Sequence, residues 1–345
     1  MNFVQRTFGP RARRSLGQLG QTPLSWPKNL LDPSYAKMVL DAVAEEEYVL
    51  RWAPIRVSSP DGTQVIEILF SSDALKIGGI RVNVSATIQQ QIADAIGALL
   101  PTPKIMDLAW LVRPTTLRPV LLPIAATSDS MIQASQLLDK AIVGLDSPPG
   151  ILVSQKTWAI GNSLAIHKGR AMNYGDFVIP NQPNHFYSGI ATEACVSFPT
   201  KPQLGRVIQG QGWAHDIAHL DYSQIAWFVH RSCTVNGSVR DLGAVLTDAK
   251  LAPLLSHEGP LQLLRQPGVP PFACKVVLPK VAGVGDASAS TFQPSAYGLC
   301  PLPPPPEGAP WATEPPMAVS AAGIVASAAV GLAAGYAFIR WMSGK

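Results

Sequence analysis

Charge is what this sequence has least of. Charged residues make up 14% of its 345 positions and apolar residues 47%, against roughly a quarter charged in an ordinary soluble domain. With a mean hydropathy of +0.17, this points to a membrane-associated or secreted chain. The little charge there is sits unevenly. Arg6, Arg11, Arg13 and Arg14 precede any acid, and the rest of the chain is balanced against its 23 acidic residues. A neutral body with a basic tip lacks the broad basic face that nucleic-acid binding needs, so no nucleic-acid partner is expected.

Cysteine is also scarce. Cys195, Cys233, Cys274 and Cys300 include no C-x-x-C pair, which excludes a zinc ribbon or a thioredoxin-like motif. Two disulfides and buried free thiols are both compatible with four cysteines. The familiar catalytic signatures are missing as well: no G-x-S-x-G elbow, no H-E-x-x-H, no phosphate loop and no dinucleotide glycine fingerprint. No cofactor is expected. Ser34 and Lys37 match S-x-x-K without its companion motifs, and Cys195 in "TEACVSF" reads as a strand cysteine of the core.

What the chain does have is a long uncharged run near its end. Met317 to Ile339, "MAVSAAGIVASAAVGLAAGYAFI", carries no charge, and as a helix it would be roughly 34 Å long, enough for a hydrocarbon core of about 30 Å. Arg340 and Trp341 follow as an interfacial anchor would. The expected span is 317–341, with the lipid bilayer as partner. Gly323, Ser327, Gly331 and Gly335 place a small residue every four positions, which suits self-association of helices into a homo-oligomer. The proline-dense "PLPPPPEGAPWATEPP" before it belongs to a linker over 281–316, a semi-rigid spacer. Arg340 and Lys345 after the span put the tail inside and the body on the envelope side. The absence of an apolar signal core at the N-terminus fits instead a tail anchor with a cytoplasmic body. The envelope-facing single-pass membrane protein is the arrangement adopted here.

Between a basic flexible segment (1–29) and the linker lies a globular body, 30–280. "KMVLDAVAEEEYVL" reads as helix, and "TQVIEILF" and "GIRVNV" as strands with Gly78 and Gly79 turning between them. Ser85 caps "ATIQQQIADAIGALL", Thr102 and Pro103 open "KIMDLAWLV", and Asp129 begins "SMIQASQLLDKAIVGL". After Pro149 the runs become strand-like: "ILVSQKTWAI", "GIATEACVSF", "IAWFVHRSCTV" and "KVVL". The expectation is an α+β fold with helices mainly in the first half of the body and an antiparallel or mixed sheet in the second, plus the C-terminal transmembrane helix.

Two of the six histidines fall in "AHDIAHLDYSQ", residues 214–224, between a glycine-rich approach and the apolar run "IAWFV". His215 and His219 share a face in either regular structure. On a helix they could hold one metal with Asp216 or Asp221, whereas on a strand they stand about 13 Å apart, too far for a shared ion. The other chemistry is acid-base work: His215 as the proton-transfer group, Asp221 as its orienter, and Tyr222 and Ser223 supplying hydroxyls. His219 is dispensable unless the segment is helical. The bland alternative is turn-capping Asp and Ser with the histidines satisfied at the surface.

From about residue 75 to 270 the chain resembles a family of uncharacterised bacterial proteins. The similarity rests on "IADAIGALLPTPKIMDLAW" (Ile92 to Trp110), Lys156 six residues before Asn162, Tyr174-Gly175, and Ile208-Gln209 ahead of His215 and Asp221-Tyr222-Ser223. The resemblance implies a shared fold and a polar site, with Lys156 among the catalytic residues and Tyr174, Gln209, Tyr222, Ser223 and Asn162 as substrate-binding wall. This chain departs from the pattern where relatives carry histidine, having Asp176-Phe177 after Tyr-Gly and Gln224 after "DYS". The functional expectation is a membrane-tethered hydrolase or transferase acting on a cell-envelope polymer such as peptidoglycan. Its alternative is a non-catalytic, membrane-anchored binding or structural protein of a phage-related or secretion assembly.

Overall fold

The computed structural model describes residues 25–112, 117, 119–120, 122–123, 125–143, 150–177, 207–272 and 318–320. Expectations for the basic segment, for Cys195, Cys274 and Cys300, for the linker and for most of 317–341 fall outside these residues. Among the described residues no helix is long and apolar enough to cross a membrane.

The first helix, α1 (Pro33–Ala44), begins where Asp32 accepts a hydrogen bond from the Ser34 amide at 2.8 Å with Pro33 in the first turn. It ends earlier than the apolar pattern suggests. Glu45, Glu46 and Glu47 would crowd negative charge at the negative end of the helix, and Glu46 turns left-handed at φ 59. Strands β1 (Tyr48–Val49) and β2 (Trp52–Ser58) follow, and β2 forms a seven-pair antiparallel hairpin with β3 (Val65–Ser71). Strands β4 (Lys76–Ile77) and β5 (Ile80–Arg81) form a hairpin through Gly78 and Gly79, both with positive φ, as the glycine pair predicts. Helix α2 (Ala86–Ile96) is capped by Ser85 and closed by left-handed Gly97. Strand β6 (Ala98–Leu99) leads to α3 (Pro103–Val112), capped by the Thr102 hydroxyl, and then to α4 (Ser128–Val143).

The second half contributes β7 (Thr157–Ala159), β8 (Met172–Phe177) and β9 (Val207–Gly212), which form their own antiparallel sheet in that order. Strands β10 (Val229–His230), β11 (Ser232–Val235) and β12 (Ser238–Asp241) precede the short helices α5 (Leu242–Thr247) and α6 (Ala252–Leu255). The last described strand, β13 (Ala318–Ser320), pairs in parallel with Arg56–Ser58 of β2.

The architecture is α+β with mainly antiparallel sheets. The main sheet is built on β3, which carries β2 on one side and both β10 and β11 on the other. The ordering differs from expectation in one respect, since the longest strand pair, β2 and β3, lies early in the chain. Pro54 and Arg56 interrupt the apolar signal of β2. Pro54 is tolerated because its N position faces the edge of β2 away from β3, and among the described residues that edge is paired only along 56–58, by β13. The core runs from Tyr35 and Val39 of α1 through Ile66, Ile68 and Phe70 of β3 to Trp110, Trp158 and Trp227, all buried. Cys233 sits in β11 as a free buried thiol, pushed up to about 12 by burial and then by Asp241.

Candidate active site

Strand β7 is fixed from below by α2. The Gln89 amide donates to the Thr157 hydroxyl (3.0 Å) and to the Trp227 carbonyl (2.8 Å), and the Trp158 indole donates to the Val84 carbonyl at 2.7 Å. Lys156, one residue before β7, bridges in parallel to Gln224, and the Ile225 amide donates to the Lys156 carbonyl at 3.1 Å. This tie draws the polar segment 214–224 onto the sheet.

That segment is neither helix nor strand. It is a turn closed by Asp216, whose side chain accepts from the Ala218 amide at 2.8 Å and whose carbonyl accepts from His219 at 3.3 Å. Its backbone is pinned at three points. The Ala171 amide donates to the His215 carbonyl (3.0 Å) and Arg170 Nη1 donates to the Ala214 carbonyl (3.0 Å). Both the amide and the hydroxyl of Thr87 donate to the Ile217 carbonyl at 3.1 Å.

The turn stacks the two imidazoles of His215 and His219 with centroids 3.7 Å apart and planes 13° from parallel. Both rings stand edge-on to Trp158, at 6.2 and 6.4 Å. A turn therefore achieves the closeness that was expected only of a helix, yet it does not make a metal pair. Imidazole lone pairs lie in the ring plane, and two parallel planes this far apart do not meet at one ion. Among the described residues no group of three or more His, Cys, Asp or Glu is placed to hold a metal.

Asp221 anchors the cluster. One carboxylate oxygen accepts from the Ser223 amide (2.8 Å) and hydroxyl (2.5 Å), and the other meets Lys156 Nζ at 3.3 Å and His219 Nε2 at 3.4 Å. Its backbone is held too, by Asn83 Nδ2 on the carbonyl and Gln224 Oε1 on the amide. Burial alone would raise its carboxyl. The hydrogen bond from His219, the Lys156 ammonium and the Ser223 contacts outweigh burial and hold Asp221 well below the usual carboxylate range. The orienting contact thus goes to His219, the ring expected to be dispensable, and the expected partner His215 lies one ring further out. Burial first, then the neighbouring His219 and Lys156, push His215 down to about 4, so it is neutral at neutral pH. A neutral imidazole can accept a proton, and burial with His219 and Lys156 makes His215 a weaker base than a free imidazole.

The structure thus brings His215, His219, Asp221, Lys156 and Ser223 together. Other expected wall residues go elsewhere. The Tyr222 hydroxyl accepts from the Leu122 amide at 2.9 Å. Tyr174 lies opposite Thr157 in the β7–β8 register, on the sheet face away from Trp158, and donates to Asp107 at 2.6 Å; Asp107 in turn meets His257 at 2.8 Å. Asn162 serves the loop 258–262, donating to the Pro260 carbonyl at 2.8 Å and accepting from the Gln262 amide at 2.6 Å. Gln209 pairs in register with Gly175. Gln224, expected as the departure from a histidine, is fully buried and closes the Asp221 turn. Trp158 and the Asp107–His257 pair were not singled out from sequence. The spacing Lys156-x-Trp158 was the available signal for Trp158, since alternate strand residues share a face.

No protein-family model, curated protein or solved structure matches this chain.

Proposed function

We propose that this protein is a membrane-tethered hydrolase or transferase acting on a cell-envelope polymer such as peptidoglycan. His215 is its acid-base residue. The observation that carries this reading is the stacked histidine pair on Trp158, with His219 held to the Asp221–Lys156 ion pair. His215 takes a proton from the attacking water or hydroxyl and returns it to the leaving group. The charges of Asp221 and Asp216 favour the imidazolium that forms, while Lys156 and Ser223 keep the Asp221 carboxylate ionised and in place. The tether is the part of the apolar run that follows β13, residues 321–341, with a small-residue stripe for self-association and the body facing the envelope. Residues 318–320 lie beside β2, and the 19 residues from Ala321 to Ile339 still span roughly 28 Å as a helix.

The test is release of soluble fragments from purified cell-wall material by the wild type and by His215→Ala and Asp221→Asn. The reading expects a loss of about a hundredfold or more for His215→Ala; an unchanged product profile counts against it. The second reading, a non-catalytic binding or structural protein, draws on the near-complete burial of Lys156 and Asp221, as in an ion pair that only closes a turn. It expects wild-type protein with no product release and an oligomer that persists in detergent.

A further inference from the structure

Asn173 has the neighbours of a site residue and the hydrogen bonding of none. In the β7–β8 register it stands directly opposite Trp158, and directly opposed residues of an antiparallel pair project from the same face. That face of Trp158 carries the His215 and His219 rings. On its other flank Asn173 is opposed by Gly212 of β9, which adds no side chain beside it. Asn173 is 1% exposed, and among the described residues its Oδ1 has no hydrogen-bond partner. A buried side-chain acceptor left unmatched is costly, and native structures keep few of them without a use.

The local charge narrows what it can take. Lys156 is committed to Asp221 and the Arg170 guanidinium is turned onto the Ala214 carbonyl, so both cations of the described cluster are already engaged. An amide oxygen accepts, which favours a ligand bearing O–H or N–H donors over a phosphate or carboxylate, and the hydroxyls of a sugar are such donors.

We propose that Asn173 is a substrate-binding residue whose side-chain oxygen accepts a hydrogen bond from a glycan hydroxyl placed against the histidine pair. This deepens the function proposed above and rests on it. The polymer is recognised through its sugar backbone, and Asn173 fixes the sugar that presents its bond to His215.

The experiment is titration of the full-length, detergent-solubilised protein with a β-1,4-linked N-acetylglucosamine tetramer, followed by calorimetry. Wild type, Asn173→Leu and Asn173→Ser are compared, with thermal melting recorded for each. Leucine keeps the volume and removes the acceptor; serine is the smaller variant that holds the proposal to account where leucine fails to fold, its hydroxyl falling short of the position of Oδ1. The expected result is wild-type binding that weakens about tenfold in each folded variant, and on turnover a raised KM with kcat little changed, which a merely structural role would not produce. Wild-type binding that persists equally in the variants overturns the role of Asn173 and leaves the acid-base site standing. A wild type that ignores the tetramer overturns the glycan reading itself, and the role of Asn173 with it.

Discussion

His215 and His219 lie ring on ring, 3.7 Å apart, and only His219 reaches the Asp221 carboxylate. Two stacked imidazoles this close resist carrying two positive charges. Burial first, then the neighbouring ring and the field of Lys156, favour the neutral form of His215.

The first prediction concerns that proton. Replacing Lys156 with Met removes a positive field from His215 and leaves more of the Asp221 charge unneutralised, so both changes move His215 upward from about 4. Following the imidazole ring protons by NMR across pH 3 to 8 checks this. A His215 midpoint that stays in place in Lys156→Met contradicts the assignment of causes.

Stability should follow the same groups. His215 and His230 each titrate at about 4 in the fold, against about 6.5 in an unfolded chain. Between those values the unfolded chain binds more protons than the folded one, so stability falls as pH drops from about 6.5 to about 4 and these two contribute no further loss below that. Asp221, held low in the fold, adds a loss that begins as pH falls through the carboxylate range. Melting temperature measured from pH 8 to 3.5 tests the window; a flat profile between 6.5 and 4 would be inconsistent with it.

The Asp221–Lys156 pair is buried on both sides, so its two halves are not equivalent to lose. Asp221→Ala strands the Lys156 ammonium and also frees the Ser223 amide and hydroxyl, and should cost about 3–5 kcal/mol. Lys156→Met leaves the carboxylate with Ser223 and His219 and should cost less. Denaturant unfolding of both variants gives the comparison, and equal losses would show that Ser223 and His219 add nothing.

Gly175 is the backbone position on which Lys156 depends. Its φ is 135, and a Cβ there would lie 2.8 Å from both the Gln155 carbonyl oxygen and Lys156 Cα. Gly175→Ala should lower stability by at least about 2 kcal/mol through strain and the forced shift. It should also disturb the Lys156 contact, visible as a moved His215 midpoint. A variant as stable as the wild type would mean that the strand relaxes there freely.

Tyr174 offers the control for the two faces of the β7–β8–β9 sheet. Tyr174→Phe removes the donor to Asp107 and should cost about 1.5 kcal/mol, without moving the His215 midpoint. A moved midpoint would mean the two faces communicate.

Local chemistry was legible where it was sufficient. Ser85 and Thr102 cap helices through hydroxyls that meet the third amide on, and Gly78-Gly79 turns a hairpin because both take positive φ. Asn236-Gly237 does the same between β11 and β12 with φ 50 and 80, directly after the run "IAWFVHRSCTV", which read as one strand and is divided between β10 and β11. The polar cluster was legible as a cluster, but its pairing was not. Which ring meets Asp221 depends on how Thr87, Arg170 and Ala171 pin the turn, residues about 45 to 130 positions away in sequence. The same holds for Tyr174, whose side of the sheet is set by its register with Thr157. A one-residue slip would place it beside the histidines.

The most direct measurement is the pH dependence of fragment release from cell-wall material by the wild-type protein. A neutral His215 acting as base predicts an acid limb with its inflection at about 4, moving upward in Lys156→Met and vanishing with the activity in His215→Ala. An acid limb near 6.5, or turnover that His215→Ala leaves untouched, would contradict the account.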